Sequence, residues 1–169
     1  CGSDAVMNVL MNSLRSEGHV IKALFPNVPL DYLPFANKIL EPSYDAIVVN
    51  GEGTLHHDTM GARRIGEILR KSIDIGKKTY LVNTVWQDVE CISNDILNAL
   101  NGVSVREEYS RLQLERRGFS KSIRILDLSY YDNIKEGHSF SDCYFEKRTI
   151  ITDFYIPEIG FSRQNLCIS

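Results

Sequence analysis

The segment that most constrains the fold is residues 45–50, where the apolar run Ala46-Ile47-Val48-Val49 lies between an aspartate and an asparagine. A strand without polar alternation is typical of a parallel sheet that is buried on both faces. The segment runs directly into Gly51-Glu52-Gly53-Thr54, and two glycines after a buried strand allow a tight turn or a close backbone approach. Helices must cover both faces of such a strand, so the segment predicts an α/β fold.

Strand and helix patterns alternate along the rest of the chain. Further strands are predicted at residues 20–25, 79–83, 103–106 and 123–128. Helices are predicted from residue 3 to Gly18, within residues 30–42, after a capping Thr54 as far as Gly76, and at residues 92–100 and 107–117. This alternation predicts a doubly wound, mainly parallel sheet with helices on both faces, whose central strands are residues 45–50, 79–83 and 103–106.

The pattern near the two ends suggests a division of the chain. The 169 residues suffice for one α/β domain, assigned to residues 1–147. Residues 148–169 are interpreted as a final strand, ended by Pro157, and a tail or the start of a linker. Domains of this type usually begin with a strand that feeds the first helix, whereas Gly2-Ser3-Asp4 already opens a helix with Ser3 as its N-cap. We therefore expect a first strand upstream of residue 1, and hence a longer protein.

Composition excludes several classes of function. The formal net charge of −3 provides no field for nucleic acid or an anionic membrane, and no apolar run is long enough for a transmembrane helix. The cysteines are sparse and form no CxxC pair, which favours reduced thiols in a cytoplasmic protein; they are Cys1, Cys91, Cys143 and Cys167. The adjacent pair His56-His57 lacks a regular ligand spacing, so we do not expect a metal site. We expect no cofactor either.

Candidate site residues lie where strands give way to helices, which is where open parallel sheets bind ligands. At Gly2-Ser3-Asp4, a glycine and a helix N-terminus suit an anion, although Ser3 could simply cap the helix. The turn Gly51-Glu52-Gly53-Thr54 is not a GxGxxG fingerprint and lacks the lysine of a P-loop, which argues against a dinucleotide or ATP. The following His56, His57 and Asp58 are either acid–base groups or exposed loop residues.

Two further groups follow the next strands. Asn83 is followed at Trp86 by the single tryptophan, which could equally stack on a sugar ring or close the core. Arg106 ends a short buried strand, so its guanidinium needs either a bound carboxylate or phosphate or an ion pair with Glu107 or Glu108. Asp127 could hold a loop or line the cleft. The basic residues beyond this strand are interpreted as a solvated helix face, namely Arg116, Arg117 and Lys121. The four groups at residues 2–4, 51–54, 83–87 and 106 should converge on one edge of the sheet.

Four segments together resemble the polysaccharide pyruvyl transferase family. They are residues 2–5, residues 45–55, residues 105–107 with Ser110, Leu114 and Gly118, and residues 125–127. The resemblance covers about residues 1–128. The family's glycine-rich turn often reads Gly-Gly-Gly, whereas here it is Asn50-Gly51-Glu52-Gly53.

The resemblance implies the Rossmann-like N-terminal half of a two-domain, GT-B-type transferase, with part of the donor site supplied by a second domain. Its reaction would transfer a pyruvyl group from phosphoenolpyruvate to a sugar of a surface glycan, in the cytoplasm and without a cofactor. For this chemistry we select, from the strand ends described above, Asp4, His56 and His57 as catalytic residues. The substrate-binding residues selected in the same way are Gly2, Ser3, Gly51, Glu52, Gly53, Thr54, Asn83, Trp86 and Arg106.

Two other interpretations stay open. The same scaffold could be a GT-B glycosyltransferase that uses a nucleotide-sugar, since fold alone does not separate the two activities. It could also be a truncated, non-catalytic interaction domain. A homo-oligomer is compatible with each of these.

Overall fold

The computed structural model of the chain describes residues 2–26, 44–128 and 148–153. The helices are α1 Gly2–Ser16, α2 Met60–Asp74, α3 Asn94–Ala99 and α4 Glu108–Arg116. The strands are β1 Val20–Pro26, β2 Ala46–Asn50, β3 Lys78–Thr84, β4 Gly102–Val105, β5 Ile123–Arg124 and β6 Arg148–Asp153. The helix predicted within residues 30–42 lies outside the described residues, as do residues 154–156 of the predicted final strand.

The strands form one parallel sheet in the order β1-β6-β2-β3-β4-β5. The predicted α/β class and the parallel sheet are therefore confirmed, and β2, β3 and β4 are interior strands, as predicted. Although the sequence suggests a division after residue 147, β6 belongs to the same sheet and lies between β1 and β2.

Two apolar clusters show that both faces of the sheet are covered. Ile47 and Val49 of β2 belong to a cluster with residues of α2, α3 and α4. Val48, between them, belongs to a second cluster with the buried residues of α1 and with Val82 and Leu128. Successive β2 side chains point to opposite faces, so the absence of polar alternation has the predicted cause.

Helix α2 illustrates how the local sequence sets the helix bounds. Its apolar stripe, which includes Ile65, Ile68 and Leu69, is buried as predicted. Thr59, and not Thr54, is the N-cap: its side chain accepts a hydrogen bond from the Ala62 amide at 3.3 Å. Gly76 follows the helix with a φ of 73°. The predicted helix start at Thr54 was wrong because residues 51–58 form a loop, which is hydrogen-bonded to the end of β3 and to the loop that follows it.

Three other predicted bounds also differ. Ser3 is not an N-cap, since α1 already includes Gly2. Helix α3 begins at Asn94, because Ile92 is buried before the helix and packs close to Gly66. Strand β5 has only two residues instead of six, because β4 ends at Val105 and offers no further partner. No helix in the described ranges is long and apolar enough to span a membrane.

Candidate functional site

The loops that follow β2 and β3 run side by side at the carboxyl edge of the sheet. The Val85 amide donates to the Glu52 carbonyl at 2.8 Å, and the Gln87 amide donates to the Leu55 carbonyl at 2.9 Å. The His57 amide returns a bond of 2.7 Å to the Gln87 carbonyl. Residues 52–57 and 85–87 therefore form a hydrogen-bonded platform that continues the sheet.

Arg106 joins this platform from β4. Its amide donates to the Thr84 carbonyl at 3.1 Å, and its guanidinium lies next to Gly53, since a Cβ placed on Gly53 would be 3.5 Å from Nη2. Three of the four predicted groups thus lie together at one edge: the turn after β2, the loop after β3, and Arg106.

The fourth group, residues 2–4, begins α1. Helix α1 leads through a short turn into β1, so its N-terminus lies toward the carboxyl edge of the strands. The side-chain nitrogen of Asn50, Nδ2, donates to the Met7 sulfur at 3.7 Å, which ties α1 to the end of β2. The side chains of Ser3 and Asp4 are outside the described part of the structure, so their roles stay predictions.

Gly51 is required by the crossing of the two loops. A Cβ at this position would lie 2.4 Å from Thr84 Oγ1 and 2.6 Å from Thr84 Cβ, far inside van der Waals contact. Gly53, two residues later, is exposed and has the ordinary spacing to Arg106 given above. The two glycines therefore differ: Gly51 permits the platform to form, and Gly53 leaves open space in front of Arg106.

Among the described residues, four that are not glycine have a positive φ; three lie in the loops after β2 and β3, and Asn83 is the second-last residue of β3. They are Glu52 at 36°, His57 at 43°, Asn83 at 53° and Asp88 at 49°. Such conformations are uncommon outside glycine and each costs about 1–3 kcal/mol, so they persist only where the surroundings hold them. Their concentration at one edge marks this edge as the candidate functional site.

Arg106 is ion-paired, but not with the predicted partners. Its Nη1 lies 2.5 Å from Asp127 Oδ2, and the two side chains are 23% and 20% exposed. Glu107 instead accepts a hydrogen bond from Ser110, and Glu108 pairs with Arg111. Asp127 reaches Arg106 because the chain leaves the sheet directly after β5. The pair is partly open to solvent, and Nη2 is the nitrogen that faces Gly53.

His56 and His57 are both exposed on the platform. His56 lines an open depression of about 420 Å³ together with Glu52, Gly53, Thr54, Thr59 and Gly61. His57 Nδ1 lies 3.9 Å from Asp88 Oδ2. The centroids of the two imidazole rings are 5.8 Å apart and the ring planes are nearly perpendicular, but only His56 is among the residues that line the depression.

Asp58 has a structural role. It accepts hydrogen bonds from the amides of Glu90 at 2.7 Å and Cys91 at 2.8 Å, and these bonds, that from Cys91 foremost, hold the pKa of its carboxyl below the usual value. Burial, followed by the neighbouring Asp58, raises the pKa of the Cys91 thiol to about 11, so this thiol is protonated at neutral pH.

The described residues contain no cluster of three side chains suited to a metal ion.

Trp86 belongs to the core beneath the platform. It is completely buried, and its amide donates to Ser110 Oγ at 2.7 Å. Of the two roles weighed for it, core closure is the one found, because it has no exposed face on which a sugar could stack. Arg117 lies over its ring at 5.6 Å.

Arg117 is not the solvated residue predicted from the basic stretch. Its Nη1 donates to the Val89 carbonyl at 2.6 Å and its Nη2 to the Ile92 carbonyl at 2.9 Å. Together with Asp58, it fixes the loop from residue 89 to residue 92 from two sides. The neighbouring Arg116 is exposed, as predicted.

Asn83 ties the end of β3 to the chain after β5. It is completely buried, and its Oδ1 accepts a hydrogen bond from the Leu128 amide at 3.1 Å. Its Nδ2 has no hydrogen-bond partner among the described residues. Asn83 thus supports the site from below and does not line the open depression.

Comparison with known proteins adds no relative. No protein-family model, no curated protein and no solved structure matches the chain.

Proposed function

We propose that the chain carries the donor-binding edge of a pyruvyl transferase that uses phosphoenolpyruvate and a glycan acceptor. The observation that supports this most is the position of Arg106 Nη2 beside Gly53, where the ends of β2, β3 and β4 meet. A planar guanidinium binds carboxylate and phosphate groups well, and phosphoenolpyruvate carries both. The glycine-containing turn has no side chain at Gly53 to keep an anion away.

Asp127 defines what this site would bind. Since its carboxylate engages Nη1 and offsets part of the charge of Arg106, we assign Nη2, which faces Gly53, to one anionic group of the donor. The second group of the donor would lie over the depression, where His56 and Thr54 can donate hydrogen bonds. This arrangement favours a small ligand with two anionic groups over a large polyanion.

The proposed reaction needs no redox partner. Two hydroxyl oxygens of one sugar form bonds to C2 of the enolpyruvyl unit, the C2=C3 double bond is lost, and C3 becomes a methyl group. Phosphate leaves with the electrons of its bond to C2. Of the two hydroxyl protons, one ends on C3 and the other on phosphate. His56, His57 and Asp4 are the proposed proton carriers. We place the reaction in the cytoplasm, because the sparse cysteines favour reduced thiols.

The test compares Arg106→Lys with the parent chain and with Arg124→Lys, a matched change of an exposed arginine on β5. Arg106→Lys keeps the positive charge beside Asp127 but loses the planar set of N–H donors of the guanidinium. We therefore expect the affinity for phosphoenolpyruvate, measured by calorimetry, to fall at least about tenfold, which is about 1.4 kcal/mol of binding free energy. Phosphate release with candidate glycans should fall in parallel, while the melting temperature changes little. Arg124→Lys should match the parent in all three measurements.

Two results would contradict the proposal. If Arg106→Lys binds and turns over phosphoenolpyruvate like the parent, or loses mainly stability, Arg106 is a structural partner of Asp127. If the parent ignores phosphoenolpyruvate but transfers sugar from a nucleotide-sugar, the chain belongs to a glycosyltransferase.

A further inference from the structure

His57 and Asp88 face each other across the two loops of the platform. Their side chains approach to 3.9 Å between Nδ1 and Oδ2, and both residues have left-handed backbone conformations, with φ of 43° and 49°. The loops around them are joined by the bond of 2.7 Å from the His57 amide to the Gln87 carbonyl. The backbone therefore holds the two side chains toward each other.

Helix α4 holds Asp88 from the other side. Gln113 Nε2 donates to Asp88 Oδ1 at 3.0 Å and to the Tyr109 hydroxyl oxygen at 2.7 Å. Because Gln113 engages Oδ1, the other carboxylate oxygen, Oδ2, is the one that faces His57. The result is a polar chain from Tyr109 through Gln113 and Asp88 to His57.

This row of polar side chains contributes little to the stability of the fold. The His57 and Asp88 side chains are 64% and 56% exposed, and ion pairs at such exposure are worth about 0–1 kcal/mol. Two strained backbone conformations cost more than that. The arrangement is better explained by what it does to the imidazole.

We propose that Asp88, held by Gln113, is a positioning residue that orients His57 as the base for the acceptor hydroxyl. The base assignment rests on the proposed function. A carboxylate beside Nδ1 favours the tautomer that carries its proton there, which leaves the lone pair on Nε2 and directs Nε2 away from Asp88. Closing the gap to hydrogen-bond distance needs a side-chain movement of about 1 Å, and such contacts often tighten when substrate binds.

The two histidines then have different tasks. His56 lines the depression beside Gly53, where the donor is proposed to bind, whereas His57 lies outside that lining with its side chain largely exposed, where a large glycan can reach. His57 Nε2 accepts the proton of the sugar hydroxyl as the oxygen electron pair forms the bond to C2. That proton is one of the two that end on C3 or on phosphate, so the balance given above is unchanged.

The decisive experiment is nitrogen NMR of the imidazoles in the full chain without ligand, at a pH where His57 is neutral. We expect the Nδ1–H tautomer of His57 to predominate in the parent. In Asp88→Asn, the amide oxygen keeps the bond from Gln113, so the amide nitrogen faces Nδ1 and donates to it. His57 should then switch to the Nε2–H tautomer. Asparagine also tolerates the left-handed backbone, so the loop keeps its shape.

Two further variants sharpen the comparison. Gln113→Leu removes the hold on Asp88 and should give a mixture of both tautomers. Asp74→Asn, at an exposed position at the end of α2, removes the same charge and should leave the His57 tautomer as in the parent. With phosphoenolpyruvate and acceptor, Asp88→Asn should lower kcat at least about tenfold and leave the KM for phosphoenolpyruvate unchanged, because only the base is misoriented.

Failure of this inference and failure of the proposed function give different results. If the parent shows no excess of the Nδ1–H tautomer, or if Asp88→Asn leaves it unchanged, Asp88 does not position His57, whatever the protein transfers. If the tautomer switches but phosphoenolpyruvate is neither bound nor consumed, the orientation of His57 by Asp88 stands and its role as base in pyruvyl transfer is overturned.

Discussion

At the scale of single residues, the platform depends on positions where a side chain is either absent or held in an uncommon conformation. Gly51 lets the loop after β2 pass Thr84, and Glu52 and Asn83, which adjoin these two residues in sequence, both have a positive φ. The hydrogen bonds between the two loops offset the cost of these conformations. The site is therefore organised by backbone packing before any ligand contributes.

Gly51→Ala tests this directly. The new methyl group would overlap Thr84, and relieving that overlap must move one loop away from the other, at a cost of about 1–3 kcal/mol in the free energy of unfolding. Gly53→Ala is the matched control, because its nearest neighbour, Arg106 Nη2, lies at an ordinary 3.5 Å. We expect it to change stability by less than about 0.5 kcal/mol. Urea denaturation measures both, and equal losses in the two variants would refute the crossing argument.

Single residues also show where sequence reasoning stops. The carboxyl-edge rule correctly brought Arg106 and the turn at Gly53 together. It did not identify Asp127 as the partner of Arg106, since the contact depends on how the chain turns after a two-residue strand. Nor could it separate the two roles of Trp86, because a tryptophan at a strand end has the same local sequence whether it is buried or exposed.

At the scale of elements, one face of α4, continued by its C-cap residue Arg117, holds the loop after β3. Ser110, Gln113 and Arg117 follow one another at helical spacing, and they contact Trp86, Asp88 and the loop at residues 89–92 respectively. The apolar periodicity of α4 gave no sign of this, because the contacts are made by polar side chains that also suit a solvated face. Helix α4 acts as a support for the site as well as a cover for the sheet.

Arg117→Met examines that support. Methionine keeps an apolar stem against Trp86 but leaves the carbonyls of Val89 and Ile92 without their donor, so we expect a loss of about 1–3 kcal/mol in stability. Arg116→Met, at the exposed neighbouring position, should stay within about 0.5 kcal/mol of the parent. Hydrogen exchange should rise in residues 89–92 only for Arg117→Met. Unchanged exchange there would mean that Asp58 alone holds the loop.

At the scale of the whole molecule, the sheet depends on its last described strand. Strand β6 pairs with β1 on one side and with β2 on the other, and β1 has no other partner among the described strands. Alternation of strands and helices predicted the parallel sheet, because buried strands and amphipathic helices leave a clear pattern. It did not predict this order, because apolar strands carry no local signal that selects their neighbours.

Ile150→Pro should therefore damage the sheet far more than a proline at its edge. Both neighbours of β6 use its backbone groups, so a proline cannot avoid losing a ladder bond there. Arg124→Pro is the control: directly after β5 the Ile125 amide donates to the Val105 carbonyl, so the alternating Arg124 amide faces away from β4. We expect Ile150→Pro to abolish the hydrogen-exchange protection of β1 and to lower that of β2, and Arg124→Pro to leave both protected. Protected β1 amides in Ile150→Pro would show that β1 is held by other contacts.

The interior position of β6 also has a consequence for how the chain acquires its structure. During synthesis, β2, β3, β4 and β5 are complete before residues 148–153 exist, and until then β1 lacks the one neighbour that it has among the described strands. Pairings as distant in sequence as Ala46 with Thr149 form slowly, because a long loop must close first. The nascent chain therefore exposes one side of β2, and β6, when it emerges, both pairs with that side and brings β1 and its helix into the sheet.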